Sequence, residues 1–129
     1  MVNKCEALID ALGRLNGIHD PSSECYQLRN PLLIRSFARA GKHAIDSEGR
    51  RVFPSLLSGL KASEFDMLLK LKGQSRAGLK PTDTLTNLFG VYGFHEKGAI
   101  DTLVAFLRRA LKDQNISART ELSYFLESK

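Results

Sequence analysis

The sequence predicts one α+β domain of the helix-dominated kind, with about five helices and one small β-hairpin. Three observations point there. Apolar residues recur at three- and four-residue spacing in five segments: residues 3–15, 55–71, 81–92, 99–111 and 121–126. Only residues 43–53 show the order of short run, glycine-bearing turn and short run that marks a hairpin. A length of 129 residues suits a single core, and no repeat, low-complexity tract or linker divides residues 1–129.

Each element has a local reason. Asn3 caps the first helix, and Leu8, Ile9, Leu12 and Leu15 share one face. Gly17 stops it. Asp20-Pro21-Ser22-Ser23 is turn chemistry. Asn30-Pro31 opens an extended segment over residues 32–37, because the residue before proline avoids the helical region. The hairpin pairs His43, Ala44 and Ile45 with residues 50–53 across Asp46-Ser47-Glu48-Gly49. Ser55 caps the second helix, whose apolar face is Leu56, Leu57, Leu60, Phe65, Leu68, Leu69 and Leu71, and Gly73 ends it.

Residues 81–83 introduce a third helix that runs to about Tyr92. The fourth carries Ile100, Leu103, Val104, Leu107 and Leu111 on one stripe. Arg108, Arg109 and Lys112 stand near its end, where the helix dipole favours cations. Thr120 caps a short last helix.

Composition narrows the function classes. Hydrophobic content of 43% and charged content of 26% are ordinary for a soluble globular chain. No apolar run is long enough to span a bilayer, so no membrane partner is expected. The first fifteen residues hold Glu6 and Asp10 and lack a continuous apolar core. They are not a signal peptide, and a cytoplasmic chain is expected unless a leader was removed. The net charge of +5, with pI near 9.4, favours anionic partners such as nucleic acid or bacterial cell wall, or simply confers solubility. A monomer is expected.

Two cysteines, Cys5 and Cys25, are too few for a disulfide framework. With His19, His43 and His95 scattered, no metal spacing is present, and no metal or cofactor is expected. Two free, partly buried thiols are expected, with pairing left open.

The loop after the first helix carries the most specific lettering, RLNGIHDPSSECYQLRNPLLIR. Without a gap, Gly17, Pro21, Ser23, Tyr26, Asn30, Pro31, Ile34 and Arg35 fall on the pattern Glu-Gly-aromatic, Pro-Gly-Ser, then Tyr-Arg-Asn-Asn-Asn-Pro-Gly-Asn-Leu-Arg. VFPSLLSGLKA, LTNLFGVYG, VAFLRRAL and TELSYFL follow in matching order. Taken together the chain resembles the lysozyme-like lytic enzymes of bacteria and their phages. The resemblance covers nearly the whole chain and implies a lysozyme-like fold directed at peptidoglycan, the bacterial cell-wall glycan.

The resemblance also places a departure. Asn16 stands where the family has its catalytic glutamate, the acid that protonates the glycosidic oxygen. An amide has no such proton to give. Leu28, Arg29, Leu32 and Leu33 replace the polar run that would line the sugar cleft. Weak or absent cleavage is therefore expected, as in a pseudoenzyme.

A displaced acid is the other option. Glu24 is the first candidate for it, with His19 and Asp20 flanking the same loop; Asp46 and Glu48 come second. Glu24 better suits a solvated loop carboxylate, or a partner of Arg29 or Arg35. By the resemblance Tyr26, Asn30, Arg35 and Tyr92 are substrate-binding positions, although each tyrosine also suits the core. The rival function is a helical interaction module that binds a protein or nucleic acid through a basic surface. Its basic groups would be Arg35/Arg39/Lys42, Arg50/Arg51, Lys70/Lys72/Arg76/Lys80 and Arg108/Arg109/Lys112. Their spread over several elements disfavours sequence-specific DNA reading.

Overall fold

The computed structural model describes residues 3–34, 44–45, 50–75 and 77–126. Among them are five α-helices, α1 (Lys4–Asn16), α2 (Glu24–Leu28), α3 (Leu56–Leu71), α4 (Leu85–Val91) and α5 (Lys97–Leu111), and a closing 3-10 helix (Leu122–Leu126). Strands β1 (Ala44–Ile45) and β2 (Arg51–Val52) pair antiparallel, with Ala44 opposite Val52 and Ile45 opposite Arg51. The fold is mostly helical, as the hydrophobic periodicity predicts.

Helix α1 is the centre of the molecule. Asn3 and Glu6 cap it reciprocally, the Asn3 side chain accepting from the Glu6 N–H at 2.7 Å and Glu6 accepting from the Asn3 N–H at 3.2 Å. Ala7, Leu8 and Leu12 are fully buried, and α3, α5 and the 3-10 helix all pack around it. From α5, Leu103, Val104 and Leu107 complete the core, with Met67 and Leu71 from α3 and Leu85, Leu88 and Phe89 from α4. Leu15, expected on the buried face, is 37% exposed.

The C-terminus is tied in by backbone. Leu85 N–H donates to Thr120 O at 3.0 Å and Leu122 N–H to Asp83 O at 2.8 Å, so the entry to α4 and the end of the chain hold each other. Thr120 does not cap the last helix. Its hydroxyl accepts from Ser117 N–H at 2.9 Å and closes the preceding turn.

Three expectations need correction. Serines and a proline hid α2, a single turn that Ser23 nucleates by accepting from Tyr26 N–H at 3.1 Å. Residues 32–34 are not a strand: Leu33 N–H closes a turn onto Asn30 O at 3.1 Å, with Leu33 at φ 53. Asn30 supplies hydrogen bonds to Ile34 there, and the Arg51 N–H of β2 adds one to Ile34 O at 2.9 Å. The rest of that predicted segment, residues 35–37, and the hairpin turn with Asp46 and Glu48 lie outside the described residues.

The third correction concerns α3. Its bounds and its Ser55 cap, which accepts from Ser58 N–H at 3.1 Å, agree with the sequence. Its buried face agrees only in part, since Leu71 is buried and Leu68 packs on the core. The buried residues are Gly59, Ser63, Met67, Lys70 and Leu71, whereas Leu56, Leu57, Leu60 and Phe65 are exposed. Gly59 permits a close backbone approach. A Cβ there would stand 1.8 Å from Arg29 O and 3.3 Å from Pro31 Cδ, so α3 lies with bare backbone against the α2–β1 loop. Lys70 is admitted to the buried stripe by its 2.6 Å ion pair with Asp66, whose carboxylate also accepts from Tyr92 OH at 2.8 Å.

Candidate functional site

The α1–α2 connection is built by short-range chemistry. Gly17 adopts φ 91, and its N–H and that of Ile18 return to Arg14 O and Gly13 O, closing α1 with a left-handed cap. The Ser23 hydroxyl donates to Gly17 O, which draws the start of α2 back onto the end of α1. Asp20 accepts from both the N–H and the hydroxyl of Ser22, and those bonds hold its carboxyl below the usual range. Asp20 is thus a turn residue at the surface.

The residues nominated as catalytic are occupied by the fold. Asn16 is half-buried and donates from Nδ2 to Pro31 O at 3.0 Å, clipping the end of α1 to the following loop. Glu24 forms an ion pair with Arg50, whose side chain is nearly buried while the carboxylate side is 64% exposed. That carboxylate therefore faces β2 and solvent, and α1's end has no ionisable acid of its own.

The nominated binding residues divide. Asn30 is fully buried: its Nδ2 donates to Ile34 O and Arg51 O, each at 3.0 Å, and its Oδ1 accepts from Ile34 N–H at 2.9 Å. It joins the loop to β2 and presents nothing to a ligand. Tyr92 reaches inward to Asp66, and burial followed by the Asp66 charge pushes its hydroxyl pKa up. Among the described ones, Tyr26 alone is open, at 46% exposure. Arg35 lies outside the described residues.

The thiols of Cys5 and Cys25 are both free and buried. Burial, then Glu64 and Glu6, pushes Cys5 up to about 12, and burial pushes Cys25 up to about 11. The Cys25 Sγ–H donates to Asn30 O at 3.2 Å. Among the described residues no group of three His, Cys, Asp or Glu side chains could hold a metal ion. The basic surface expected of an interaction module is thinner than the sequence suggested, because Arg50, Arg51 and Lys70 are buried, while Arg35, Arg39, Lys42 and Arg76 lie outside the described residues.

Among the described residues, two adjoining hollows open on the surface beside α1. The first, of about 390 Å³, is a groove between α1 and the N-terminal half of α3. Ile9 and Gly13 form one wall, Leu56, Leu57 and Leu60 the other, and Ile18 and Pro31 close one end. Glu6, Asp10 and Glu64 stand at its rim with Lys61 and His19. The second, of about 450 Å³, is shared at Ile18 and Leu56 and continues to Tyr26, Gln27 and Arg29. Leu56, at 45% exposure, lines both hollows, and Leu57, at 61%, lines the first.

The sequence carried a signal for this groove that periodicity alone did not decode. The apolar positions of α3 spread over more than half of the helix circumference, wider than one packing face requires. Comparison of the chain with protein-family models, with curated proteins and with solved structures finds no match in any of the three.

Proposed function

We propose that this chain is a non-catalytic helical interaction module that holds a protein partner in the groove between α1 and α3. A lysozyme-like descent, in which the catalytic position has become a structural clip, is part of that proposal. The observation that carries it is the exposure of Leu56, Leu57 and Leu60 together on one wall of a formed groove. Contiguous exposed apolar side chains, rimmed by charge, mark an interaction surface; leucines scattered singly do not. Two further facts support a binding role. Glycoside cleavage requires a carboxylic acid beside the scissile bond, yet the Asn16 amide is engaged with Pro31 O and Glu24 is engaged with Arg50.

A second reading has one observation in its favour. The hollow lined by Tyr26, Gln27 and Arg29 offers an exposed aromatic face beside an amide and a guanidinium, the groups that hold sugars. In that reading the domain still binds cell-wall glycan without cutting it.

One experiment separates these readings from catalysis. Native protein, Asn16→Glu and Tyr26→Ala are incubated with purified peptidoglycan and centrifuged. Each soluble fraction is then analysed by mass spectrometry. The interaction module stays in the supernatant and releases nothing, with or without the glutamate. Retention in the pellet that Tyr26→Ala abolishes establishes the glycan reading instead. Release of muropeptides by the native protein refutes both and returns the search to a displaced acid.

A further inference from the structure

The groove differs in charge from the chain that contains it. The chain carries net +5, yet the groove rim holds Glu6, Asp10 and Glu64 against Lys61, with His19 at one end. Glu6 and Asp10 are one turn apart on α1, and Glu64 stands across from them on α3. Asp10 is partly offset by an exposed pair with Arg14 at 3.1 Å. Glu64 makes no ion pair among the described residues. The negative field reaches inward, since Glu64 and Glu6 both reinforce burial in raising the Cys5 thiol.

Shape then selects the form of the partner. An extended peptide adds to an open sheet edge, but both walls here are α-helices whose backbone groups bond internally. The lining runs from Glu6 to Gly13 on α1 and from Leu56 to Glu64 on α3. At 1.5 Å per residue that is about 11 Å, or two helical turns. Two helices with apolar side chains on either side of a trough accept a third by interdigitation alone.

We infer that the groove between α1 and α3 binds a cationic amphipathic helix of another protein. Its apolar side chains at i, i+3 or i+4, and i+7 seat against Ile9, Ile18, Leu57 and Leu60. Its flanking Lys or Arg side chains meet Glu6 and Glu64. The inference rests on the interaction-module reading and names that module's partner by chemistry. A second copy of this chain fits less well, because a two-fold contact of this face would set the carboxylates of one copy against those of the other. An anionic lipid surface meets the same repulsion.

The test uses the full chain and a synthetic helical peptide about 15 residues long, with leucines at helical spacing and lysines on both flanks. A control peptide carries glutamates in place of the lysines. Binding is read by fluorescence anisotropy and by amide NMR shifts. The expected result is that the lysine peptide shifts Ile9, Ile18, Leu57 and Leu60, with the glutamate peptide at least about tenfold weaker. Leu57→Asp weakens the lysine peptide by about tenfold or more, and Glu64→Lys reduces the preference between the peptides. Both substituted side chains are exposed, and an unchanged melting temperature verifies that each variant folds.

Equal or tighter binding of the glutamate peptide in the groove overturns the charge inference but leaves the interaction module standing. Failure of both peptides to bind overturns the inference; retention on peptidoglycan in the same preparation then removes the module reading as well. A concentration-dependent dimer that Leu57→Asp dissolves, or Leu57-dependent binding to phosphatidylglycerol-containing vesicles, overturns it in favour of a second copy or a membrane.

Discussion

Replacing Gly59 by alanine tests the feature that orients α3. Alanine in a helix interior is favoured over glycine by about 0.5–1 kcal/mol, so an uncrowded site would gain stability. At Gly59 the new Cβ lies 1.8 Å from Arg29 O and 3.0 Å from Arg29 C. To reach even 3.0 Å from the oxygen, the helix and the loop must separate by more than about 1 Å. The obstruction is backbone and cannot swing aside as a side chain would. Overpacking costs about 1–3 kcal/mol, and this geometry belongs at the upper end of that range. After the propensity gain is deducted, a net loss of about 2 kcal/mol remains. For a domain of this size that lowers the melting temperature by about 6–10 °C. Gly98 is the control: it lies in α5 with nothing within 4 Å of an added Cβ, so Gly98→Ala raises stability by about 0.5 kcal/mol. Urea and thermal unfolding of the two variants beside native protein decide the matter. A Gly59→Ala variant as stable as Gly98→Ala would show that α3 does not rest on Arg29.

Other substitutions give independent checks. Asn30→Leu fills the volume but strands Ile34 N–H and Arg51 O, while Ile34 O keeps its bond from Arg51 N–H, and urea unfolding is expected to show a loss of about 3 kcal/mol. Glu24→Gln weakens a pair whose acid is mostly exposed and costs less than about 1 kcal/mol in the same assay. Stability should be flat up to the ordinary thiol range. It should then fall as the pH climbs from about 9 toward 11 and 12, because the unfolded thiols of Cys25 and Cys5 ionise first while the folded ones resist. Urea midpoints at pH 8, 9.5 and 10.5 should therefore decline in native protein and decline less in Cys5→Ala/Cys25→Ala. Tyr92, also raised by burial, leaves the double variant part of the slope.

The parts of the fold that local chemistry decides were legible. Asn3 and Ser55 as caps, Gly17 as a stop, and the Leu103–Val104–Leu107 stripe all follow from neighbours within a turn or two of chain. What was not legible depends on distant partners. Whether Asn30 faces a ligand or the core depends on Arg51, twenty-one positions away, and on Ile34 folding back over it. Glu24 likewise became a partner of Arg50 rather than of the nearer arginine, Arg29, because β2 docks on the α2 loop through Phe53 N–H to Leu28 O at 2.9 Å. Charge counting failed for the same reason: Arg50, Arg51 and Lys70 are formal cations that the core withdraws from the surface.

On α3, Leu56 and Leu60 fall on the same helical stripe as Ser63, Met67 and Leu71, so the exposed leucines are the N-terminal continuation of the buried face, with Leu57 to one side of it. Burying leucine is worth about 1.5–3 kcal/mol per side chain, a gain this end of the helix does not collect. Beside it Gly59 permits a backbone approach that no other residue allows, and Asp66 neutralises the buried Lys70 within the same helix. Further along the stripe Ser63 is buried with no hydrogen-bond partner for its hydroxyl among the described residues, a cost of about 1–3 kcal/mol. A chain that buries an unsatisfied serine while leaving Leu56, Leu57 and Leu60 outside carries apolar surface that its own core does not use. Those leucines are the wall of the groove, and a partner helix laid against them would recover the burial that the isolated domain forgoes.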